Sequence, residues 1–394
     1  MASRGEPRTL RGMSEFRVVI CGGGIAAVEG LLRLRRLIGE SVRIDLIAPN
    51  DELVYRPLAV REPFAFSGAR RYPLRRIARD TGAEWLKDSL SWVDPDAQAV
   101  HTGSGERVEF DALLIAVGGR QVEAYDHVTT FRDAEADETY RGIIQDVEQG
   151  YTHDVAFVQP VGPVWPLPLY ELALMTAERA GSMDARGFSA TIITPERRPL
   201  AVFGPAVSDV VTERLAEAGI DVHCNSLAKV PANRRLVIQP QGVELQPERI
   251  VAMPRIAGPA IRGLAGGGTT GFIPIDKHCL VPGTGGRVFA AGDAVDYPIK
   301  QGGLGAQMAD AAASAIAVLA GASDKAAPFN PVISGKLLTG SAPVYMTAHP
   351  VGAESFESTV FETPPWPSDE KVIAEELGPY LAHLDASASA ARPA

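Results

Sequence analysis

The sequence predicts an α/β protein with two Rossmann-like domains, the first of them discontinuous, and a C-terminal interface segment. Three observations predict this fold. Near the start of the chain an apolar run, a glycine-rich turn and a helical segment follow one another. A second alternation of strand and helix begins near residue 155, and an apolar run that ends in Gly-Asp lies near residue 290. Alternating strands and helices are typical of parallel sheets covered by helices.

The composition excludes several classes of protein. With 394 residues, of which 46% are hydrophobic and 22% charged, the chain is long enough for two or three globular domains. The net charge is −10, whereas nucleic-acid binders usually carry an excess of basic residues, so no nucleic-acid partner is predicted. No uncharged apolar stretch reaches the roughly 18 residues of a membrane span, and the first residues lack a signal-peptide core. We therefore predict a cytoplasmic protein.

The cysteine content argues against disulfide and metal frameworks. Cys21, Cys224 and Cys279 are odd in number and far apart in sequence. Neither a set of disulfides nor a zinc site with paired ligands fits that spacing, and no metal site is predicted.

The first βαβ unit is followed by an excursion and a set of short strands. A second strand at residues 42–48 comes within the roughly 30 residues that such a unit needs, and a right-handed crossover is expected. Proline, arginine and aromatic residues are frequent in residues 51–80, which are interpreted as an excursion. The predicted elements are a first strand at 16–21, a helix at 28–37, short strands at 84–93, 98–101 and 106–109, and a buried parallel strand at 111–117.

The glycine turn predicts a phosphate site. In Gly22-x-Gly24-x-x-Ala27 the first glycine permits a tight turn, the second lets a pyrophosphate approach the backbone, and the alanine keeps helix and strand close. Ile25 and Ala26 lie at the start of the helix, whose N-terminus then binds the phosphates. A glycine turn of purely structural purpose is the alternative.

The remaining elements complete both domains. A second strand-helix-strand alternation is predicted at 155–158, 169–180 and 190–193, and the first sheet receives another strand at 288–291 and a small-residue helix at 305–319. The predicted limits are 14–120 and 256–330 for the first domain, 121–255 for the second and 331–384 for the C-terminal interface segment, with 1–13 and 385–394 disordered.

The Gly-Asp motif identifies the dinucleotide. Gly292-Asp293 follows a buried strand, which puts a carboxylate at the sheet edge where ligands of α/β proteins bind. With Ala116-Val117-Gly118 after another buried strand, the set resembles the FAD domain of the pyridine nucleotide-disulphide oxidoreductase superfamily. The resemblance implies that Asp293 binds the ribityl chain of a non-covalent FAD. A turn aspartate or helix cap is the alternative for Asp293.

The resemblance also implies contacts further along the chain. It implies that the helix following the Gly-Asp motif aims its N-terminus, at Gly302 and Gly303, at the flavin ring. The acid that usually binds the ribose is missing after the second strand, where Ala48, Pro49 and Asn50 stand instead. Asn50 or Asp51 is expected to take that role.

Three further segments resemble one branch of the superfamily. Tyr55-Arg56-Pro57, residues 271–276 and Trp366-Pro367 are similar to segments of type II NADH dehydrogenases and sulfide:quinone oxidoreductases. Arg56 and Pro57 are then expected at the FAD. The branch implies an FAD-dependent oxidoreductase that passes two electrons from a small donor to a quinone or a similar small acceptor.

The second domain departs from the family pattern. Residues 158–171 keep only Gly162 of the usual Gly-x-Gly-x-x-Gly turn, and prolines and a tryptophan remove amide donors and add bulk. NAD(P)H binding is therefore doubtful, although Glu196 could still reach a ribose. Trp165 stands where sulfide-oxidising members carry a cysteine, which disfavours sulfide chemistry. Cys279 is the thiol expected nearest to the ligand edge, with a plain surface position as the stronger alternative.

Two residues are predicted to be catalytic. Glu171 follows an aromatic residue at the place where quinone-reducing relatives carry a glutamate near the flavin, and a desolvated carboxyl has a raised pKa that suits proton handling. Its alternative is a first-turn acid that matches the helix dipole. Lys300 is expected at the pyrimidine edge of the flavin, where it would offset charge on the reduced ring, and its alternative is a solvated loop lysine.

Three functions stay open at this point. Besides the quinone-linked enzyme, the sequence permits an NAD(P)H dehydrogenase with a remodelled nicotinamide site, and an FAD-binding redox sensor or structural flavoprotein without fast turnover. Residues 364–367 are apolar, but the helix predicted after them carries Glu370, Lys371, Glu375 and Glu376 and is acidic rather than basic. A basic membrane anchor is not evident, and peripheral membrane contact is left open.

Overall fold

The fold is described from a computed structural model for residues 15–185, 187–264, 270–351, 356–367 and 370–390. The prediction of disorder for residues 1–13 concerns a segment outside these described residues.

The first part of the chain builds most of one sheet and its surroundings. Buried apolar residues form the strands, and a glycine turn separates the first strand from the first helix. The elements are β1 (Arg17–Cys21), α1 (Ile25–Ile38), β2 (Arg43–Ile47), β3 (Glu52–Tyr55), β4 (Arg70–Pro73), α2 (Leu74–Asp80), β5 (Glu84–Leu86), β6 (Leu90–Asp94), β7 (Ala99–Thr102), β8 (Arg107–Glu109), β9 (Ala112–Ile115) and β10 (Arg120–Val122). A 3-10 helix, Ala59–Phe64, lies in the predicted excursion.

The middle of the chain forms a second α/β unit with a small antiparallel sheet attached. Its elements are β11 (Thr129–Thr130), α3 (Ala136–Glu148), β12 (Asp154–Val158), α4 (Leu167–Ser182), β13 (Ser189–Ile193), α5 (Pro205–Glu217), β14 (Ile220–His223), β15 (Leu227–Ala232), β16 (Arg235–Gln239), β17 (Val243–Leu245) and β18 (Arg249–Ala252). A short 3-10 helix, Ala201–Phe203, precedes α5.

The last part of the chain returns to the first sheet and then adds a third. Its elements are β19 (Arg255–Ala257), β20 (Val288–Ala290), the 3-10 turn Gly292–Ala294, α6 (Gly302–Leu319), β21 (Ile333–Leu337), β22 (Val344–Pro350), β23 (Phe356–Phe361) and α7 (Leu377–Ala390).

Both large sheets are parallel and five-stranded. The first has the order β20-β9-β1-β2-β5, so strands from opposite ends of the domain's two segments lie side by side. The second has the order β11-β18-β12-β13-β14. β21, β22 and β23 form an antiparallel sheet. This is the predicted α/β fold with two Rossmann-like sheets, and the residue limits of the domains stay a prediction.

The register brings the carboxyl ends of four strands, β1, β2, β9 and β20, to one edge of the first sheet. Cys21 pairs with Ile47 and with Ile115, and Ala290 pairs with Ile115. The glycine turn, the Gly118 turn and the Gly-Asp motif follow these residues directly. Because carboxyl ends of parallel strands share an edge, segments far apart in sequence meet there.

The C-terminal region differs from the sequence prediction. The helix predicted to contain Glu370 and Lys371 is absent, since residues 370–376 are irregular and α7 begins only at Leu377. Residues 385–390, predicted to be disordered, are the last turns of α7, where the carboxylate of Asp385 accepts hydrogen bonds from Arg70 and Tyr72. These contacts to β4 hold residues 385–390 in place, and residues 391–394 of the predicted disordered tail lie outside the described residues.

One helix of the described chain, α6, is long and apolar enough to cross a membrane, and 61% of it is buried inside the fold. It packs against α1 and the first sheet, as a core helix does.

Candidate functional site

A cavity of about 680 Å³ opens at the carboxyl edge of the first sheet. That volume lies within the range of cofactor and ligand sites, roughly 300–1,000 Å³. The second domain and the C-terminal region also contribute to its walls. Most residues predicted to bind the cofactor line it, namely Gly22, Gly24, Ile25, Ala26, Asn50, Arg56, Pro57, Ala116, Val117, Gly118, Gly292, Asp293 and Gly302, together with Lys300.

The glycine turn leaves an anion site at the start of α1. Gly22 has φ +132°, and a methyl group there would lie 2.1 Å from the carbonyl oxygen of Ala116, so no other residue fits this position. Gly24 caps α1 with no side-chain hydrogen bond, and the first turn of the helix has no acid. The free amides and the helix dipole therefore face the cavity, as a pyrophosphate requires.

Asp293 presents a half-buried carboxylate to the cavity. Burial raises its pKa to about 6, against the attraction of Lys300. Within the described part of the chain its side chain makes no hydrogen bond, so its acceptors are available to ligand hydroxyls. This arrangement fits a ribityl chain better than the alternative of a helix cap.

Lys300 is a buried lysine rather than a solvated one. It is 3% exposed, and its ammonium donates to the carbonyl of Val295 and lies 3.6 Å from the centre of the Phe272 ring. Burial lowers its pKa to about 8. A cation held in an apolar setting beside the cavity is suited to offset developing negative charge.

Glu171 reaches the cavity only through a partner. It lies in the first turns of α4 and is 0% exposed, and it does not line the cavity. Lys371, which does line it, has its Nζ 2.7 Å from each carboxylate oxygen of Glu171, and the amide of Leu338 donates to Oε1 at 3.0 Å. Burial raises the pKa of Glu171 and lowers the pKa of Lys371, and their mutual attraction opposes both changes.

Lys371 was missed as a site residue by the sequence reasoning, which placed it on an acidic helix. No motif marks it, and it lies 200 positions from its partner. Pro49, Glu52, Arg120, Asp133, Gln301, Ser334 and Val372 also line the cavity without having been singled out.

Three predicted cofactor residues stand behind the cavity wall instead of in it. Ala27 and Ala48 are fully buried in the first core, and Gly303 is buried near the carbonyl of Ile373. At the expected ribose position Asn50 lines the cavity, whereas Asp51 is paired with Lys87 at 2.6 Å.

The carboxyl edge of the second sheet is filled by its own side chains. Thr194 donates to Gln159 at 2.9 Å, and Glu196 accepts from the Tyr170 hydroxyl at 2.6 Å and from the amide of Ala201 at 3.1 Å. Burial raises the pKa of Glu196 to about 7. This network occupies the place where a second dinucleotide would contact the sheet, and Trp165 turns instead toward the first cavity.

The cysteines lie away from the cavity. Cys21 and Cys279 are fully buried, Cys224 is half-buried, and none of the three, all of which belong to the described residues, lines the cavity. Burial raises the pKa of Cys21 and of Cys279 to about 12, which keeps both thiols protonated.

Comparisons with known proteins agree with this architecture. Residues 16–148 match the family described as pyridine nucleotide-disulphide oxidoreductase. The sulfide-quinone reductase of Aquifex aeolicus is 30% identical over 110 residues, 27% of this chain and 25% of that protein. The mitochondrial sulfide:quinone oxidoreductase of Mus musculus is 24% identical over 111 residues, 27% of this chain and 23% of that protein. The aligned segment thus spans about a quarter of these curated relatives.

Solved structures extend the likeness to most of the chain. The crystal structure of the sulfide:quinone oxidoreductase from Aquifex aeolicus superposes with a TM-score of 0.78 at 22% identity, covering 88% of this chain and 87% of that one. The NDH2 of Plasmodium falciparum superposes with a TM-score of 0.58 at 15% identity, covering 73% and 65%.

Fold and cavity together define a protein with two Rossmann-like domains and a cavity of cofactor size at the edge of the first sheet. The match of residues 16–148 and the superposed structures make the chain similar to the pyridine nucleotide-disulphide oxidoreductases. The predicted fold class is confirmed, and the family match agrees with the predicted superfamily, with FAD as the cofactor and with an FAD-dependent oxidoreductase.

Proposed function

We propose that this protein takes two electrons from a small donor and passes them to a quinone. The observation that carries this proposal is the buried Glu171–Lys371 pair, which presents an ammonium group to the cavity. When bound, FAD supplies the two-electron chemistry. The names of the relatives in the comparisons, which refer to quinone as acceptor, support the same conclusion.

Separate parts of the cavity would hold the parts of the cofactor. The amides at the start of α1, beside Gly24, would bind the pyrophosphate, and the carboxylate of Asp293 would accept hydrogen bonds from the ribityl hydroxyls. Lys300, fixed by Phe272 and Val295, would place its charge near the reduced ring.

The pair supplies a proton where a quinone needs one. Reduction of a quinone to a quinol takes up two electrons and two protons; both electrons and one proton would come from the reduced FAD, and the protein would supply the other proton. Lys371 Nζ would hydrogen-bond a quinone oxygen and donate one proton to it, which leaves a neutral amine beside the carboxylate of Glu171. Because that carboxylate favours the ammonium form, it would draw the replacement proton from solvent back to Nζ. The carboxylate of Glu171 thus acts through Lys371.

The donor is not sulfide in this proposal, although the curated relatives are named for it. Sulfide oxidation through thiols needs reactive cysteines at the flavin, whereas Trp165 lines the cavity and no cysteine of this chain does. A nicotinamide donor is also disfavoured, because Gln159, Thr194 and Glu196 bond to the protein's own groups at the second sheet's edge.

The test measures the oxidative half-reaction, which requires no knowledge of the donor. The purified holo-protein would be photoreduced without oxygen and mixed in a stopped-flow instrument with decylubiquinone, with menadione or with buffer containing dioxygen. We expect quinone to restore the flavin absorbance much faster than dioxygen. Lys371→Met should slow the quinone reaction by about 10²-fold or more, as loss of a general acid does. Glu171→Gln should slow it less.

Glu178→Gln provides a matched control, because Glu178 is an exposed glutamate on the same helix, α4. Equal rates for all variants would contradict a role for the pair. Reoxidation that no quinone accelerates would contradict the acceptor and favour a redox sensor or structural flavoprotein. Rapid bleaching of the oxidised protein by NADH or NADPH would instead favour the dehydrogenase with a remodelled nicotinamide site.

A further inference from the structure

The segment that carries Lys371 runs along the wall of the cavity as a strap, defined here as residues 370–377, in which 370–376 are irregular and Leu377 begins α7. Lys371 and Val372 line the cavity, and a methyl group added to Gly302 at the start of α6 would lie 3.3 Å from a Val372 methyl carbon. At the start of the strap, Arg70 binds the Glu370 carboxylate at 2.7 Å and the Trp366 indole donates to the Glu370 carbonyl at 3.1 Å. The strap therefore depends on contacts from other elements to keep its path.

Glu29 holds the other end of the strap. It lies on α1, is 0% exposed and accepts hydrogen bonds from the amides of Glu376 at 3.0 Å and Leu377 at 2.6 Å. The acid therefore caps α7, a helix nearly 350 positions away, and not the helix on which it lies. Arg33 and Arg36 of α1 bind Glu376 at 2.9 and 2.6 Å and balance the charge of this contact.

A carboxylate is the group that this contact requires. Each oxygen of Glu29 takes one of two consecutive amides, which lie at the open N-terminal end of α7. A glutamine would offer one acceptor and turn an amide group toward the other N–H, and an alanine would offer none. Because the site is buried, an amide left unpaired there would be costly, and detachment of the strap would become the easier alternative.

We propose that Glu29 is a positioning residue that clamps the strap to α1 and thereby keeps Lys371 in the cavity. Only four residues separate Lys371 from Glu376, so release of the Glu376 and Leu377 amides frees the backbone next to Lys371. The clamp itself is argued from contacts alone, whereas its consequence for the reaction rests on the proposed quinone reduction.

Trypsin reports the position of the strap directly. It cleaves after lysine, and Lys371 is 7% exposed with its ammonium bound to Glu171, so the holo-protein should be cut there slowly. The initial rate at which mass spectrometry detects the new N-terminus at Val372 measures opening. Loss of one charge-assisted bond predicts a rate at least about tenfold higher in Glu29→Gln and higher still in Glu29→Ala.

Glu375→Gln is the matched control, because this carboxylate sits in the same strap, pairs with the same Arg33 and is 64% exposed. It should be cut at close to the wild-type rate. FAD content and thermal unfolding of each variant establish that the fold is intact, and the isosteric glutamine variant keeps the test decisive if Glu29→Ala does not fold.

A double-mutant cycle on the rate of reoxidation shows whether Glu29 positions Lys371 or only supports the fold. If Glu29 acts through Lys371, Glu29→Gln should slow reoxidation by decylubiquinone in the wild type and have no further effect in Lys371→Met. Cleavage at the wild-type rate in a folded Glu29→Gln variant would overturn the proposal whatever the quinone kinetics. Faster cleavage together with no quinone reaction in any variant would support the clamp and overturn the proposed function instead.

Discussion

The buried Glu171–Lys371 pair predicts that its two single variants lose stability with opposite dependence on pH. In Lys371→Met the carboxylate of Glu171 stays buried, with the Leu338 amide as its hydrogen-bond donor and Lys336 as the nearby positive charge that remains. In Glu171→Gln the ammonium of Lys371 stays buried without its counter-charge. In each variant the remaining group can become neutral, Glu171 by taking up a proton and Lys371 by losing one. The free energy of unfolding therefore falls by no more than the cost of that change in protonation.

The limits follow from the ordinary pKa values of the two groups. Protonating a glutamate at pH 7 costs about 4 kcal/mol, and deprotonating a lysine at pH 7 costs about 5 kcal/mol. These values agree with the roughly 3–5 kcal/mol measured when one partner of a buried pair is removed. The first cost falls by about 1.4 kcal/mol for each unit that the pH is lowered, and the second falls by the same amount for each unit that it is raised.

The signs are therefore fixed for each variant. In Lys371→Met the folded-state pKa of Glu171 is raised, so stability relative to wild type is lost as pH rises above about 4.3. In Glu171→Gln the folded-state pKa of Lys371 is lowered, so stability relative to wild type is lost as pH falls below about 10.4. A double variant, Glu171→Gln with Lys371→Met, removes both charges of the pair and leaves the neighbouring buried Lys336, so it should lose less stability than either single variant.

Urea unfolding of the holo-proteins at pH 5.5, 7 and 8.5, followed by flavin fluorescence, would measure these differences. Glu178→Gln should show no pH-dependent loss, because its side chain is exposed. Parallel pH profiles for the two single variants, or a double variant as unstable as the worse single one, would refute the assignment of the pair as a mutually dependent buried ion pair.

Two further predictions test other parts of the molecule. Burial raises the pKa of Asp310 to about 8, so the neutral acid is favoured on folding and stability is lost as pH rises from its unfolded value to 8. Asp310→Asn should therefore gain up to about 1.4 kcal/mol over wild type for each pH unit, or about 4 kcal/mol in all, between pH 5 and 8, and the gain should level off above pH 8. Thermal unfolding at each pH would measure the difference, and a difference that does not change with pH would contradict a titrating carboxyl. Gly22→Ala should abolish FAD retention, because a methyl group would lie 2.1 Å from the Ala116 carbonyl at φ +132°; a variant that purifies with full flavin content would contradict the geometry.

Much of the fold could be predicted because its signals are local. Apolar runs indicated the strands of the first parallel sheet and the strands β12 and β13 of the second, and the structure extends the predicted helix at 305–319 back to Gly302. The Gly-Asp motif placed Asp293 at the correct sheet edge because strand ends fix the positions of the residues that follow them.

The parts that could not be predicted depend on contacts between distant segments. Nothing in the composition near Lys371 indicates a partner 200 positions away, and charged residues at helical spacing suggested a solvated helix where the structure has the strap. Glu29 lies on α1, and nothing near it in the sequence indicates that its carboxylate caps α7. Tertiary contacts overrode local pattern at both positions, as they often do where a charge is buried.

Helix α1 connects Glu29 and the strap that carries Lys371 to the cavity. Its first amides face the cavity at Gly24, and its buried acid Glu29 binds the strap less than two turns further along. A 14-residue helix packed along α6 behaves as one rigid body, so the phosphate end and the strap end cannot shift independently. The second domain, by contrast, has only Gly162 of the usual glycine turn, and Glu196 at its sheet edge is bonded to the protein's own groups. The side that carries Lys371 instead holds a buried ion pair beside the cavity. Such a pair is weak evidence for stability and stronger evidence for chemistry, which is why we place the proposed acceptor beside Lys371.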